Sequence, residues 1–313
     1  MQKACPDEEF ISLFKEHGGE GTARILKIGA RTVFARRRSL EIQLGKKIEA
    51  PDSPQKARGI EVAEYPGRVH DEIKNGQLLM GTDAHYWPGV DSDAHAAFVR
   101  IAKELKPRII VKGGDDYDFP SISRWPMDWE RRPSVKEEIE HTGDKMQEIR
   151  DASKNSKTYQ CLGNHDARFE LRLAQSKEFA GVKGMHLKDH LPGWTPCWSV
   201  WINDEVVIKH FFKTGVGGAR LNAIYSGKHI FTGHTHRMQL YTFSDYNGFR
   251  FGMECGTLAN PYGEQFLYCE ENPREWVSGF VLLTFSNGKL LTPEPVICSG
   301  DGKYNYRGRV YSL

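Results

Sequence analysis

The chain has 313 residues, room for about two domains, with 39% hydrophobic and 27% charged residues, an ordinary balance for a soluble globular protein. Its formal charge of +2 does not mark a nucleic-acid binder by composition, although Arg31, Arg36, Arg37 and Arg38 crowd into one short stretch. No run approaches the roughly 18 apolar residues of a membrane span, and Met1–Phe10 lacks the apolar centre of a signal peptide.

In chain order, residues 8 to 45 read as three short helices. Phe10, Ile11 and Phe14 stripe the first, Thr22 to Leu26 form the second, and Ala30 to Leu40 form a basic third. Residues 46–75 mix Pro, Gly and charge without apolar periodicity, which reads as a linker. From residue 76 to 313 the texture alternates. Strands are expected at Leu78–Met80, Arg108–Val111, Thr158–Leu162, Val206–Ile208 and His229–Thr232, with helices at His95–Leu105 and Ser134–Ala152. That alternation predicts an α/β architecture. The six cysteines are scattered without a CxxC pair, so reduced, buried thiols in a cytoplasm are expected.

The chemistry lies where the strands end. After Met80 comes Gly81-Thr82-Asp83-Ala84-His85, and after Val111 comes Gly113-Gly114-Asp115-Asp116-Tyr117-Asp118. Leu162 leads into Gly163-Asn164-His165-Asp166, Ile208 leads to His210, and Phe231 leads to Gly233-His234-Thr235-His236. Open α/β sheets place ligand sites at such ends. Imidazole and carboxylate suit Mn, Fe or Zn, and the lack of thiolate argues against a structural zinc site. Alternate residues of an extended segment share a side, so Asp83/His85 and His234/His236 can each grip one metal or bracket two. Asp116 stands beside Asp115 as a competing ligand, whereas His95, His186 and His190 lack strand-end context and read as surface or capping histidines.

This ordered set resembles the calcineurin-like metallophosphoesterase family, over roughly residues 77 to 296. The resemblance implies a two-sheet sandwich flanked by helices, with two divalent metal ions at the strand ends and a phosphate ester as substrate. It implies one metal on Asp83, His85, Asp115 and His236, and another on Asp115, Asn164, His210 and His234. Asp115 would bridge, an assignment that suits a carboxylate between two dications. His165 would protonate the leaving oxygen with Asp166 as its supporting acid. Manganese is the favoured metal. The spellings around Ser121–Trp125, Asn164–Glu170 and Asn272–Trp276 are closest to bacteriophage and prophage members, which sets the expected location in a bacterial or phage-infected cytoplasm. Arg168 is expected to bind phosphate or to form a helix-surface ion pair.

The N-terminal helices resemble a helix-turn-helix, with Ala23 at the helix crossing and Ile28 and Val33 packing inward. Lys27 departs from the usual glycine of that turn. DNA would then be a partner through Arg31, Arg36, Arg37 and Arg38. The leading expectation is therefore a phosphodiesterase or nuclease acting on or near DNA. A small-molecule phosphomonoesterase or cyclic-nucleotide phosphodiesterase is the alternative on the same chemistry. A DNA-binding regulator that uses the metal fold as scaffold is a third.

Overall fold

The computed structural model describes residues 5–48, 67–124, 132–174, 177–179, 181–270 and 275–313. The middle of the stretch read as linker, together with Trp125 and Asn272 to Arg274, lies outside the described residues. The chain divides into two compact units, Met1–Pro66 and Gly67–Leu313.

In the first unit, helix α1 (Asp7–Leu26) is interrupted at Gly18, whose φ of 65° and ψ of −176° only glycine adopts cheaply. Helix α2 (Ala30–Leu44) follows. Lys27 takes the left-handed conformation that ends α1, with φ 53°, where a glycine would be unstrained. Phe10, Phe14, Ala23, Val33 and Leu40 form a small apolar core with Cys5 and Ile48. Arg36 belongs to that core's rim: it donates to the Cys5 carbonyl at 2.6 Å and to Asp7 at 2.7 Å, over the face of Phe10. Arg37 pairs with Glu41 at 3.0 Å, while Arg31 and Arg38 are exposed.

The second unit begins with β1 (Arg68–Asp71), inside the stretch read as linker. Its polar Arg-Val-His-Asp text suits an edge strand, which is where it lies. Then come β2 (Gly76–Gly81), α3 (Asp93–Leu105), β3 (Ile109–Lys112), α4 (Val135–Ala152), β4 (Lys157–Cys161), α5 (Ala167–Leu173) and β5 (Thr195–Cys197). After them follow β6 (Ser199–Ile202), β7 (Val206–Lys209), α6 (Gly218–Ser226), β8 (His229–Thr232), β9 (Met238–Asp245) and β10 (Gly248–Cys255). The chain closes with β11 (Gly279–Ser286), β12 (Lys289–Leu290), β13 (Glu294–Gly300), β14 (Lys303–Tyr306) and β15 (Arg309–Ser312).

These strands form two sheets. One has the order β15-β14-β13-β11-β2-β3-β4-β5, with β12 beside β11; the other has β1-β6-β7-β8-β10-β9. Side-chain alternation builds the sandwich. Leu78, Met80, Ile109 and Val111 meet Val200, Ile202, Ile208 and Phe231 between the sheets. Leu79 and Ile110 face the other way, onto Phe98 and Ile101 of α3 and Met146 and Ile149 of α4. Helix α6 covers the far face of the second sheet, so closely that a Cβ at Gly252 would meet the Ala219 carbonyl oxygen at 2.0 Å. The result is an α/β two-sheet sandwich flanked by helices.

One buried ion pair explains Asp116. Lys112 at the end of β3 and Asp116 are both fully buried and lie 2.9 Å apart. The amide of Gln160 donates to the other Asp116 oxygen at 3.0 Å. Asp116 is therefore consumed by a lysine four residues earlier, and does not join the strand-end cluster. Removing one partner strands the other charge, so Lys112→Met should destabilise the protein by about 3–5 kcal/mol. Lys112→Met with Asp116→Leu should recover most of that loss in urea unfolding; a double variant as unstable as the single one would overturn the account.

Candidate metal centre

Five loops leave the same edge of the sandwich, after β2, β3, β4, β7 and β8. Their backbones are unusual. Asp83 (φ 52°), His85 (39°), Asp115 (53°), His234 (72°) and His236 (57°) all have left-handed φ. Such residues persist only where their surroundings over-determine them, and they gather at functional sites.

The surroundings here are backbone hydrogen bonds. Asp83 N–H donates to Gly114 at 2.8 Å, and His85 N–H donates to Asp115 at 3.0 Å. His234 N–H donates to the Asp83 carboxylate at 2.8 Å, whose same oxygen takes the Thr82 hydroxyl at 2.6 Å. The Asp166 carboxylate accepts from the N–H groups of Gly163 (2.8 Å), Asp115 (2.8 Å), Asp116 (3.0 Å) and Tyr117 (3.2 Å). Glu138, reaching from α4, accepts from those of Asp118 (3.1 Å) and Phe119 (2.8 Å). The glycines are steric necessities. A Cβ at Gly163 would lie 2.0 Å from Asp115 Oδ1, and one at Gly233 would lie 2.2 Å from Asp83 Oδ2.

The side chains converge as two clusters. Asp83, His85 and His236 form one, and Asp115, His210 and His234 the other; within each, the ligand atoms lie within 4.8 Å of one another. His236 Nε2 is 3.4 Å from Asp83 Oδ1, and His210 Nε2 is 3.1 Å from Asp115 Oδ2. Asn164 Oδ1 sits 3.2 Å from His210 Nε2, on the exposed side. A third cluster joins His85, Asp118 and His165.

Electrostatics follow from this crowding. Burial by itself would lower the pKa of His210, but the Asp115 carboxylate overrides it and lifts the imidazole to about 9. Burial likewise opposes ionisation of Asp115 and Asp118, yet the facing histidines hold both carboxyls well below the usual range. Asp166 goes the other way, raised to about 7 by burial and by Asp116 and Asp115.

The donor set fits divalent cations. His85 Nε2 and His236 Nδ1 are buried and have no hydrogen-bond partner among the described residues. His85 Nδ1–H donates to Asp118 at 3.0 Å, and His210 Nδ1–H donates to the Gly113 carbonyl at 3.0 Å. Both bonds fix the tautomer that leaves Nε2 as a ligand atom. Nitrogen and carboxylate oxygen without thiolate suit Mn, Fe or Zn.

Other placements differ from the sequence reading. Asp166 does not brace the His165 imidazole; it holds loop backbone, and the carboxylate beside His165 Nδ1 is Asp118, at 3.0 Å. Arg168 reaches the same place, donating to the Asp118 carbonyl at 2.6 Å and lying 3.2 Å from His165 Nε2. His95 is not a surface residue. It is buried against the Tyr86 hydroxyl (2.8 Å) and Glu148 (2.9 Å). The sequence reading also passed over Phe266, Gln265 and Tyr268, which line the cleft with Trp276. They come from a loop far along the chain that carries no motif.

No protein-family model matches this chain, and no curated protein matches it. Solved structures with a similar arrangement include wild-type Vps29 from Entamoeba histolytica complexed with zinc, at 12% identity and TM-score 0.39, covering 76% of this chain and 98% of that one. A novel archaeal phosphodiesterase has 15% identity and TM-score 0.37, covering 71% and 99%. The Pseudomonas putida nuclease MPE has 15% identity and TM-score 0.32, covering 75% and 87%. Scores this low transfer neither activity nor substrate to this chain.

The Glu138 bridge to the Asp118 loop predicts a pH dependence. Burial raises this carboxyl from 4.5 to about 8, against the two N–H groups it accepts from. Between those values the folded protein keeps a proton that the unfolded chain has released, so stability falls as pH rises through this window. Glu138→Gln keeps an acceptor and cannot ionise. Its thermal midpoint should vary less with pH across the window and exceed wild type above it; a slope matching wild type would rule out Glu138 as the source.

Proposed function

We propose that this chain is a metal-dependent phosphoric ester hydrolase of the calcineurin-like kind, acting as a phosphodiesterase or nuclease. The supporting observation is the pair of clusters, Asp83/His85/His236 and Asp115/His210/His234, side by side in one cleft with His165 next to them. Asp83, His85, Asp115 and His236 would hold one divalent ion, and Asp115, Asn164, His210 and His234 the other, with manganese favoured. When bound, such a pair lowers the pKa of water and draws charge from phosphate oxygens.

The chain's own groups supply the rest. Water oxygen bonds to phosphorus, the phosphorus–oxygen ester bond breaks, and the departing oxygen needs a proton. His165 can hold one. Burial disfavours its charged form, but Asp118 and Asp115 raise its pKa overall. Asp118 fixes Nδ1, so Nε2 faces the cleft, and Arg168 converges on the same point. A departing oxygen there accepts from both. The spellings around Ser121–Trp125, Asn164–Glu170 and Asn272–Trp276 favour a phage-type member working in a bacterial or phage-infected cytoplasm. Among the described residues no helix is long and apolar enough to cross a membrane.

The test is hydrolysis of a bis-nitrophenyl diester, a monoester and DNA by purified protein with added Mn²⁺. His165→Ala should retain both metals by elemental analysis yet slow turnover about 10²–10⁴-fold. The defect should shrink for nitrophenyl leaving groups, which need little protonation. Equal loss on good and poor leaving groups would remove His165 from the acid role.

The N-terminal unit supports a second element, duplex-DNA binding through α2. Arg31 and Arg38 are exposed and seven residues apart, hence on one helix face. Arg36 and Arg37 are engaged within the unit itself, so the contact falls mainly to the exposed pair. Changing Arg31 and Arg38 to Ala in the full protein should weaken duplex binding and lower the salt slope by about 2, near 0.9 per phosphate contact. An unaltered slope would make α2 a cap rather than a reading helix.

A further inference from the structure

Beyond the metal ligands, the cleft has two walls of different chemistry. The cavity is about 820 Å³. On one side an aromatic series runs outward from His236: the Trp276 ring lies 4.3 Å from it, Phe266 lies 4.9 Å from Trp276, and Tyr268 lies 6.4 Å from Phe266. Phe266 is buried and props the His85 ring at 5.3 Å, so its role is support. Tyr268 is 74% exposed and lines the cleft.

Another part of the lining is cationic. There the cavity adjoins a second of about 520 Å³, and both are lined by Ser123, Asn164 and Arg168. The second cavity adds Arg124 and Arg172. Arg168 and Arg172 stand at i and i+4 on α5, one above the other on a single helix face. Arg168 is already turned to Asp118 and His165, beside the reacting centre. Arg172, exposed and one turn further out, is a second cationic station with no part in the hydrolytic chemistry.

A lone phosphate ester needs the metal ligands, His165 and Arg168. It has no use for a guanidinium one helical turn beyond them, or for an exposed aromatic ring elsewhere in the lining. A polymer that repeats phosphates and carries flat π-faces uses both. Single-stranded nucleic acid is bound in just such grooves, with arginines along the backbone and aromatic rings under the bases. A paired duplex keeps its base faces stacked internally and cannot present them without unstacking.

We propose that the cleft takes a single-stranded oligonucleotide, with the scissile phosphate at the metal ligands, the neighbouring phosphate at Arg172 and a base against Tyr268. This inference rests on the phosphoesterase reading above. Both Tyr268 and Arg172 are exposed, so truncating them spares the core.

The experiment compares kcat/KM on a single-stranded oligonucleotide, the same sequence as a blunt duplex, and bis-nitrophenyl phosphate, all with Mn²⁺. Wild type should prefer the single strand to the duplex. Tyr268→Ala should lower the oligonucleotide-to-diester ratio roughly ten-fold, the scale of one lost stacking contact. Arg172→Ala should lower the same ratio and reduce the salt slope on the oligonucleotide by about 0.7, one phosphate contact on a single strand. Ratios that stay at the wild-type value in both variants, with diester hydrolysis intact, overturn this inference and leave the phosphoesterase reading standing. So does equal cleavage of strand and duplex. A wild-type protein inert towards the diester overturns both.

Discussion

Carboxylate repels carboxylate and imidazolium repels imidazolium when they are drawn together out of water, and each also loses hydration. Holding Asp83 and Asp115 in one dry place is therefore the constraint on which this architecture turns. The sandwich delivers their loops to a single edge, but delivery is not enough. The loops must be bent into left-handed conformations that are uncommon for residues other than glycine, though aspartate and histidine adopt them more readily than most. Asp166 and Glu138 supply the opposing force, gathering six backbone N–H groups between them. Both are acids, and both are pushed towards their neutral forms, first by burial and then by the neighbouring aspartates. Burial opposes ionisation of Asp115 and Asp118, and the facing histidines overcome it while the two scaffold acids hold the loops.

Helices α3 and α4 take part in this division of labour. α4 contributes Ile149 and Met146 to the apolar layer and Glu138 to the loop after β3. A change in how α4 packs would thus be felt at Asp118, and through it at His85 and His165. Charge is also cancelled locally where it serves no site, as in the Lys112–Asp116 pair.

What could be read from the residues was what is local along the chain. An apolar run followed within a few residues by Gly and then Asp, Asn or His is short-range text, and the strand ends and ligand types were legible from it. The fold class followed from the same alternation. Of the two supporting acids, Asp166 was legible in its motif though not in its role, and Glu138 was not, because it lies 19 and 20 residues from the backbone groups it holds. Nor was the aromatic wall: Gln265 donates to the His85 carbonyl across 180 positions, with no periodicity to announce it. β1 was hidden because an edge strand with one apolar residue looks like a linker. His95 was misjudged because an isolated histidine gives no sign of partners such as Tyr86 and Glu148.

The cradle around the candidate ligands is closed by bonds within the chain, from Thr82, Asp166, Glu138 and the loop carbonyls. Nitrogen and oxygen donors without thiolate accept several first-row dications. Among first-row dications the affinity of such nitrogen and oxygen ligands follows a general order that the protein hardly alters. Cellular supply then decides occupancy. The same polypeptide made in manganese-rich and in zinc-rich cells would then be two preparations, alike in fold and unlike in the ion they carry.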